Sequence, residues 1–399
     1  MFVLKNAHLI SALTEGYTEP EADLVIDGAY IKEINAPGRD YGELRTVDLA
    51  RKTVIPGMID LHTHLYFSTG NFPALGMQSH NDSWLSAILY GKEFLRQGFT
   101  TVRDVGNPYY IGVAIKKGVE AGAFVGPRMF VSGHCISPTT RGNNELPALY
   151  FEADSPEEIS KACRVEYSEG VDFFKYMATG CVANMTGAPG ELISSRDEIF
   201  ALQAAAEARN TYAAVHAHGT EGIFLCAEAG IRTIEHASMI DDKCIEMILK
   251  KNCQSAIVPT LDPVVANHRL PDAVIPKPIM DKLHQIYLYL PNLVAATRAG
   301  ILTGWGTDEH QDFYRSNIGC EFSCRSEAGY TNTEILEQAT INSAKILGVD
   351  DKLGTIKAGK LADLVIIDGN PENDLSVMER YPNSVYKEGR LCAIGGVIQ

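Results

Sequence analysis

Short apolar, β-branched runs alternate with amphipathic stretches from about residue 57 to residue 350, the pattern of parallel strands joined by crossover helices. Strands are expected at 54–61, 100–104, 129–132, 171–176, 212–215, 231–234, 256–258 and 301–304. The helices between them carry their own punctuation. Ser155, Pro156 and Glu158 supply a cap, a first-turn proline and a capping-box carboxylate for a helix ending at Gly170. Ser195 and Glu198 repeat the device, Thr220 opens a helix that stops at Gly230, and Asn252 and Gly300 end two more. Eight strand and helix pairs fit a TIM barrel, for which about 250 residues is typical. A doubly wound sheet would want a glycine-rich loop after its first strand, and none follows.

The two ends of the chain read differently. Residues 1–55 are short strands with turns at Asp27-Gly28 and Pro37-Gly38, and 355–399 resume in the same style, with 362–367 the clearest strand. Neither end buries a core alone, so the two are expected to pair into one small discontinuous β-sandwich beside a barrel of residues 56–354. The fold class is therefore α/β: a (β/α)8 TIM barrel with a β-sandwich domain from both termini.

Composition narrows the partners. A chain of 399 residues with 45% hydrophobic and 21% charged positions is an ordinary globular protein. A net charge of -15 leaves no basic face for nucleic acid or an anionic membrane, so a small-molecule substrate is expected. No run approaches the ~20 apolar residues of a membrane span. The opening Met-Phe-Val-Leu-Lys-Asn reads as a strand, not a signal peptide, and a cytoplasmic location is expected. Nine cysteines without a paired framework suit reduced thiols. Cys320 and Cys324 are neighbours but lack two further cysteines to close a thiolate zinc site, and so read as partly buried thiols. Outer barrel helices are the natural surface for a homo-oligomer.

The candidate chemistry sits at strand ends. His62 and His64 project from the same face of the first strand, a preorganised imidazole pair. Lys175, His216, His236 and Asp308 end the fourth, fifth, sixth and eighth strands, and in a barrel all these ends converge on one mouth. Lys175 closes the apolar run Val-Asp-Phe-Phe-Lys, where desolvation favours the neutral amine. A neutral amine can add CO2 to become a carbamate with two oxygens, enough to bridge two cations.

Together these residues resemble the amidohydrolase superfamily, in the branch of imidazolonepropionase-like and Xaa-Pro or Xaa-Arg dipeptidase-like metal hydrolases. The resemblance rests on residues 56–64, Thr100-Thr101-Val102-Arg103-Asp104, Gly126-Pro127-Arg128, the run from Phe174 through Lys175 to Gly180, His216-Ala217-His218-Gly219, Ile234-Glu235-His236 and Gly306-Thr307-Asp308. The tail adds 339–344 and 359–365. It implies two divalent metal ions, zinc first among candidates. His62, His64 and Asp308 would hold one, His216 and His236 the other, with Lys175 as N6-carboxylysine between them. Imidazolonepropionase works with one metal and lacks the bridging lysine, so Lys175 points to the binuclear group. By the same resemblance Asp308 would shuttle a proton from water to the leaving nitrogen, and His218 would hydrogen-bond the substrate carbonyl.

The expected activity is hydrolysis of a C–N amide bond in a dipeptide or N-acyl amino acid, with a cyclic amide (imidazolone, hydantoin or lactam) as the alternative. A barrel retired to an interaction role would have lost ligands, and none is lost. Dipeptidase-like relatives often carry a Thr-Gly-Gly-His-Gly loop after the third strand. Here 137–144 contains no histidine, and Arg141, His134 and Tyr176 are the candidate substrate contacts, each also readable as a loop or packing residue. The small-residue stretch 184–190 and the proline-rich stretch 264–278 are expected to wall the site.

Overall fold

A computed structural model describes residues 1–146, 148–250, 255–270 and 275–399. The barrel strands are Met58–Thr63, Phe99–Asp104, Arg128–Val131, Phe174–Met177, Ala213–Ala217, Thr233–His236 and Ala256–Val258. Within each hydrogen-bonded pair of neighbours the strands run parallel. The third and fourth are joined by a 2.8 Å bond from Asp172 N–H to the Val131 carbonyl. The eighth position is held by 301–306 through isolated bridges rather than a ladder, with Thr303 beside Ile257 and Gly306 beside Thr260. Leu61 N–H donates to the Trp305 carbonyl at 2.8 Å and closes the ring. The seven laddered strands bury every residue except in the third, Arg128–Val131, which is buried at alternate positions, as expected where helices cover a parallel barrel.

The expected strand 54–61 is in fact two. Thr53–Pro56 belongs to the terminal sheet, antiparallel to Leu364–Ile367 and parallel to Phe2–Leu9, whereas Met58–Thr63 starts the barrel. Gly57 is the joint: its N–H donates to the Asp363 carbonyl at 2.7 Å, and a Cβ there would overlap Thr100 and lie 2.9 Å from Asp363 Cβ. Gly57→Ala is accordingly expected to cost about 1–3 kcal/mol, seen as a lowered urea midpoint at constant slope. An unchanged midpoint would mean that the junction has room to spare.

Helix starts follow their caps. Ser195 and Glu198 form the reciprocal capping box over Arg196–Glu207. Ser155 caps Pro156–Ser168 through Glu158 N–H, but the Glu158 carboxylate accepts from Asp154 N–H instead of completing the box. Thr220–Ala229 ends on Gly230 in the left-handed region, as a C-terminal glycine should. The helix end expected at Asn252 lies outside the described residues. Among the described residues no helix is long and apolar enough to cross a membrane.

Strands from both termini form a nine-stranded mixed sheet in the order 397–398, 390–394, 384–387, 364–367, 53–56, 2–9, 21–27 and 30–35, with 45–48 beside 2–9. This β-sandwich domain has its own core, including Leu4, Leu24, Ile26, Leu364 and Ile366. Arg128 pins it to the barrel through Asp363 at 2.8 Å and Glu388 at 2.6 Å. The sandwich thus sits on strand N-termini, leaving the opposite mouth free.

Candidate metal centre

The strand ends bring two groups of ligand atoms together. His62, His64 and Asp308 form one and His216, His218 and His236 the other, each with its atoms within 4.8 Å of one another. Asp308 Oδ1 lies 3.6 Å from Nε2 of both His62 and His64, and its Oδ2 lies 3.9 Å from His236 Nδ1. The His62 and His236 rings are 4.6 Å apart, and His216 and His236 are 4.5 Å apart, so the groups abut. Lys175 reaches in from the fourth strand with Nζ 3.5 Å from His62 Nε2. His236 and Asp308 both hold left-handed backbone, with φ of 66° and 56°. Such strain in non-glycine residues is characteristic of functional positions, and here it turns two strand-end side chains inward.

Burial sets the charge of these groups. It drives His62, His216 and His236 well below the ordinary imidazole range and lowers His64 and His218 to about 3, with the Lys175 ammonium adding repulsion. Each imidazole is therefore neutral, with a lone pair to offer. Burial also lowers Lys175 toward the free amine and raises Asp308 to about 7, the latter opposed by Lys175. A buried cluster of neutral donors around one carboxylate fits divalent cations and little else.

Most ring orientations are fixed from behind. His62 Nδ1 lies 2.7 Å from the Glu235 carboxylate, His64 Nδ1 2.8 Å from the Gly106 carbonyl, His218 Nδ1 2.8 Å from Ser238 Oγ and His236 Nδ1 2.8 Å from Thr260 Oγ1. These leave Nε2 of His62 and His64 facing Asp308, whereas His236 presents Nδ1 to both Thr260 and Asp308. His216 places Nε2 3.3 Å from the Gly180 carbonyl. Glu235 is itself clamped by the buried Arg103, which donates to it at 2.7 Å, to the Leu61 carbonyl at 2.6 Å and to Thr233 Oγ1 at 3.0 Å. Asp60 Oδ1 accepts from the His62 and Thr307 N–H groups at 2.9 and 3.3 Å, tying the first strand to the eighth. Sequence reasoning assigned no role to Glu235, Arg103, Asp60, Thr260 or Ser238. The available signal was a charged residue inside each of three otherwise apolar strands.

Above the cluster opens a cavity of about 400 Å³, lined by His62, His64, Lys175, His216, His218, His236 and Asp308 at its floor and largely by apolar side chains above. Phe67, Leu146, Leu149, Tyr150, Met177, Val182, Val264, Ile279, Leu283 and Phe313 are among them. The stretch 181–184 forms one wall and is anchored, since Lys282 Nζ donates to the Asn184 and Thr186 carbonyls at 2.7 and 2.9 Å. Pro263, Val264, Asn267, Ile275 and Pro276 form another, with 271–274 of that expected wall outside the described residues.

The three candidate substrate contacts fall elsewhere. Tyr176 is fully buried in the helix-facing core with its hydroxyl 2.6 Å from Ser194 Oγ, because strand alternation sends it opposite to Lys175. His134 turns to Glu166, with Nδ1 3.0 Å from the carboxylate, and Arg141 lies exposed in the short helix Arg141–Glu145. Neither lines the cavity. Trp305 packs between Phe99, Phe322 and Arg325.

Comparison with known proteins places this geometry. Residues 53–392 match the family model described as "Amidohydrolase family". An ochratoxinase of Aspergillus niger is 25% identical over 371 residues, covering 85% of this chain and 75% of its own. Among solved structures, a prolidase complexed with N-methylphosphonate-L-proline is 29% identical at a TM-score of 0.86, covering 98% of this chain and 99% of its own. A Xaa-Pro dipeptidase with bound methionine in its active site is 25% identical at a TM-score of 0.84, with coverage of 98% and 99%.

Proposed function

From the premise that the chain belongs to the amidohydrolase family and is a hydrolase acting on carbon–nitrogen bonds, we propose a binuclear metal-dependent enzyme that cleaves the amide bond of a small hydrophobic N-acyl amino acid or related amide. The observation that carries this reading is the meeting of two ligand groups around the buried Lys175 at the barrel mouth. His62, His64 and Asp308 would hold one cation, His216 and His236 the other, and Lys175 would bridge them as its carbamate. Two divalent ions, zinc first among candidates, would supply Lewis acidity to the scissile carbonyl and acidify water.

The chain's own groups account for the rest. Asp308 stands at the rim with a side chain 24% exposed, within reach of both water and substrate. It takes one proton from the attacking water as the C–O bond forms, and returns it to the amide nitrogen as the C–N bond breaks. His218, fixed through Nδ1 by Ser238, presents Nε2 to the cavity and is suited to hold the carbonyl oxygen. The apolar walls exclude water and favour a hydrophobic acyl or side chain.

The substrate's charge follows from what the walls lack. Among the described lining residues there is no arginine, and Lys175 is the one lysine. A free carboxylate would therefore enter without a bidentate partner, which moves the reading away from small charged dipeptides. The names of the prolidase and dipeptidase relatives support an amide built on an amino acid. The test is a panel of N-acyl amino acids, dipeptides and cyclic amides, each acid offered also as its methyl ester. Hydrophobic acyclic amides should give the highest kcat/KM, the neutral form at least matching the acid, and acidic dipeptides should fall roughly a hundredfold or more below them. Turnover confined to imidazolone or hydantoin rings would overturn the assignment.

A further inference from the structure

We infer that Asp262, Cys320 and Cys324 form a second, thiolate-type site for a zinc-class divalent cation, separate from the ligands at the barrel mouth. Cys320 and Cys324 lie one helical turn apart on Cys320–Ala328, so their side chains share a face. Their sulfurs are 3.9 Å apart. Two sulfurs bound to one tetrahedral zinc at 2.3 Å stand about 3.8 Å apart, so the pair is already at coordination spacing. Asp262, the first residue of the helix Asp262–His268 that follows the seventh strand, brings a carboxylate oxygen within 4.8 Å of both.

A thiol-to-thiol hydrogen bond would explain the sulfur spacing alone. It does not explain Asp262. That side chain is 1% exposed, with the Cys320 thiol as its hydrogen-bonding neighbour, yet its Oδ1 has no partner of its own. Its neighbours Glu309 and Glu321 are acidic as well, and the adjacent Arg325 is committed to Glu321 at 2.7 Å. Glu321 is further occupied by the N–H groups of Leu261 and Asp262 at 3.0 and 2.6 Å, so it is not a competing ligand. One thiol cannot serve both oxygens of a buried carboxylate, and a cation that both thiols can also bind would satisfy the second. Cys320 is only partly buried, which gives a cation a path to the site. On binding, each thiol releases its proton to solvent, and the pair of thiolates with one carboxylate meets a doubly charged ion.

Cobalt(II) reads this directly, since thiolate ligation gives a near-ultraviolet charge-transfer band that imidazole and carboxylate ligands do not. The full-length, fully reduced protein should show that band at one equivalent beyond those taken by the barrel mouth. Cys320→Ser/Cys324→Ser should lose the band, and His62→Ala should keep it. If the double variant does not fold, the wild-type protein still decides. Zinc should slow alkylation of Cys320 by iodoacetamide more than tenfold, read by peptide mass spectrometry, and Asp262→Asn should remove that protection. No thiolate band with cobalt, a band that survives in the double variant, or alkylation indifferent to zinc would each overturn the assignment.

Discussion

Lys175→Ala is expected to fold normally yet lose the bridged pair of cations and roughly a thousandfold or more in kcat, equivalent to about 4 kcal/mol of barrier. The amine is buried among neutral imidazoles and displaced toward its uncharged form by that burial. An uncharged amine can attack CO2; the N–C bond would form, one amine proton would leave, and the product would carry the negative charge that a pair of cations would require. Alanine removes that charge and leaves a cavity of matching size. Acetate or propionate should enter it and restore part of the activity, a rescue that a purely structural lysine would not allow. Native mass spectrometry of the wild-type protein should find the mass of one added CO2, lost in CO2-free buffer together with activity. Wild-type kcat in Lys175→Ala, or full activity with an unmodified amine, would remove the bridge from the mechanism.

Glu235 is predicted to separate folding from metal binding. Its carboxylate lies between the Arg103 guanidinium and His62 Nδ1, both at 2.7 Å, with no solvent exposure at any of the three beyond 1%. Glu235→Ala strands a buried guanidinium and should cost about 3–5 kcal/mol of stability. Glu235→Gln should be far milder, because the amide oxygen can still accept from Arg103. The amide N–H2 then faces His62 Nδ1 and forces that nitrogen to accept, which puts the proton on Nε2 and blocks its lone pair. Glu235→Gln should therefore weaken metal binding about 10- to 100-fold or more with a nearly unchanged urea midpoint. Equal metal affinity in Glu235→Gln and wild type would show that His62 does not ligate through Nε2.

These cases show which parts of the molecule are legible in a sequence. His62, His64, Lys175, His216, His236 and Asp308 are readable because a barrel aligns all its strand ends at one mouth, so position along a strand already fixes position in space. The same logic excludes Tyr176, since adjacent strand residues point to opposite faces and Lys175 points inward. His134 and Arg141 sit on loops whose direction is set by distant partners such as Glu166, which no local pattern encodes. The continuous apolar run across Gly57 hid the break of one expected strand into two, because burial on both sides looks the same whichever core does the burying. Arg103 and Glu235 lie in separate strands, and only the closed ring pairs them. The proposed third ligand to the two neighbouring thiols was invisible for the same reason: Asp262 arrives from the start of another helix.

The terminal sheet also bears on how the protein is made. Ile55 pairs with Val365, so the edge of Thr53–Pro56 has no partner until a chain segment roughly 300 residues downstream has emerged, a wait of about 15–60 s at ribosomal speed. Barrel closure waits as well, because Leu61 needs the carbonyl of Trp305. The nascent chain therefore carries open strand edges through most of its synthesis, a standing invitation to pair with neighbouring chains. Yield in a cell should then depend on chaperone supply and growth temperature more than on the equilibrium stability of the finished enzyme.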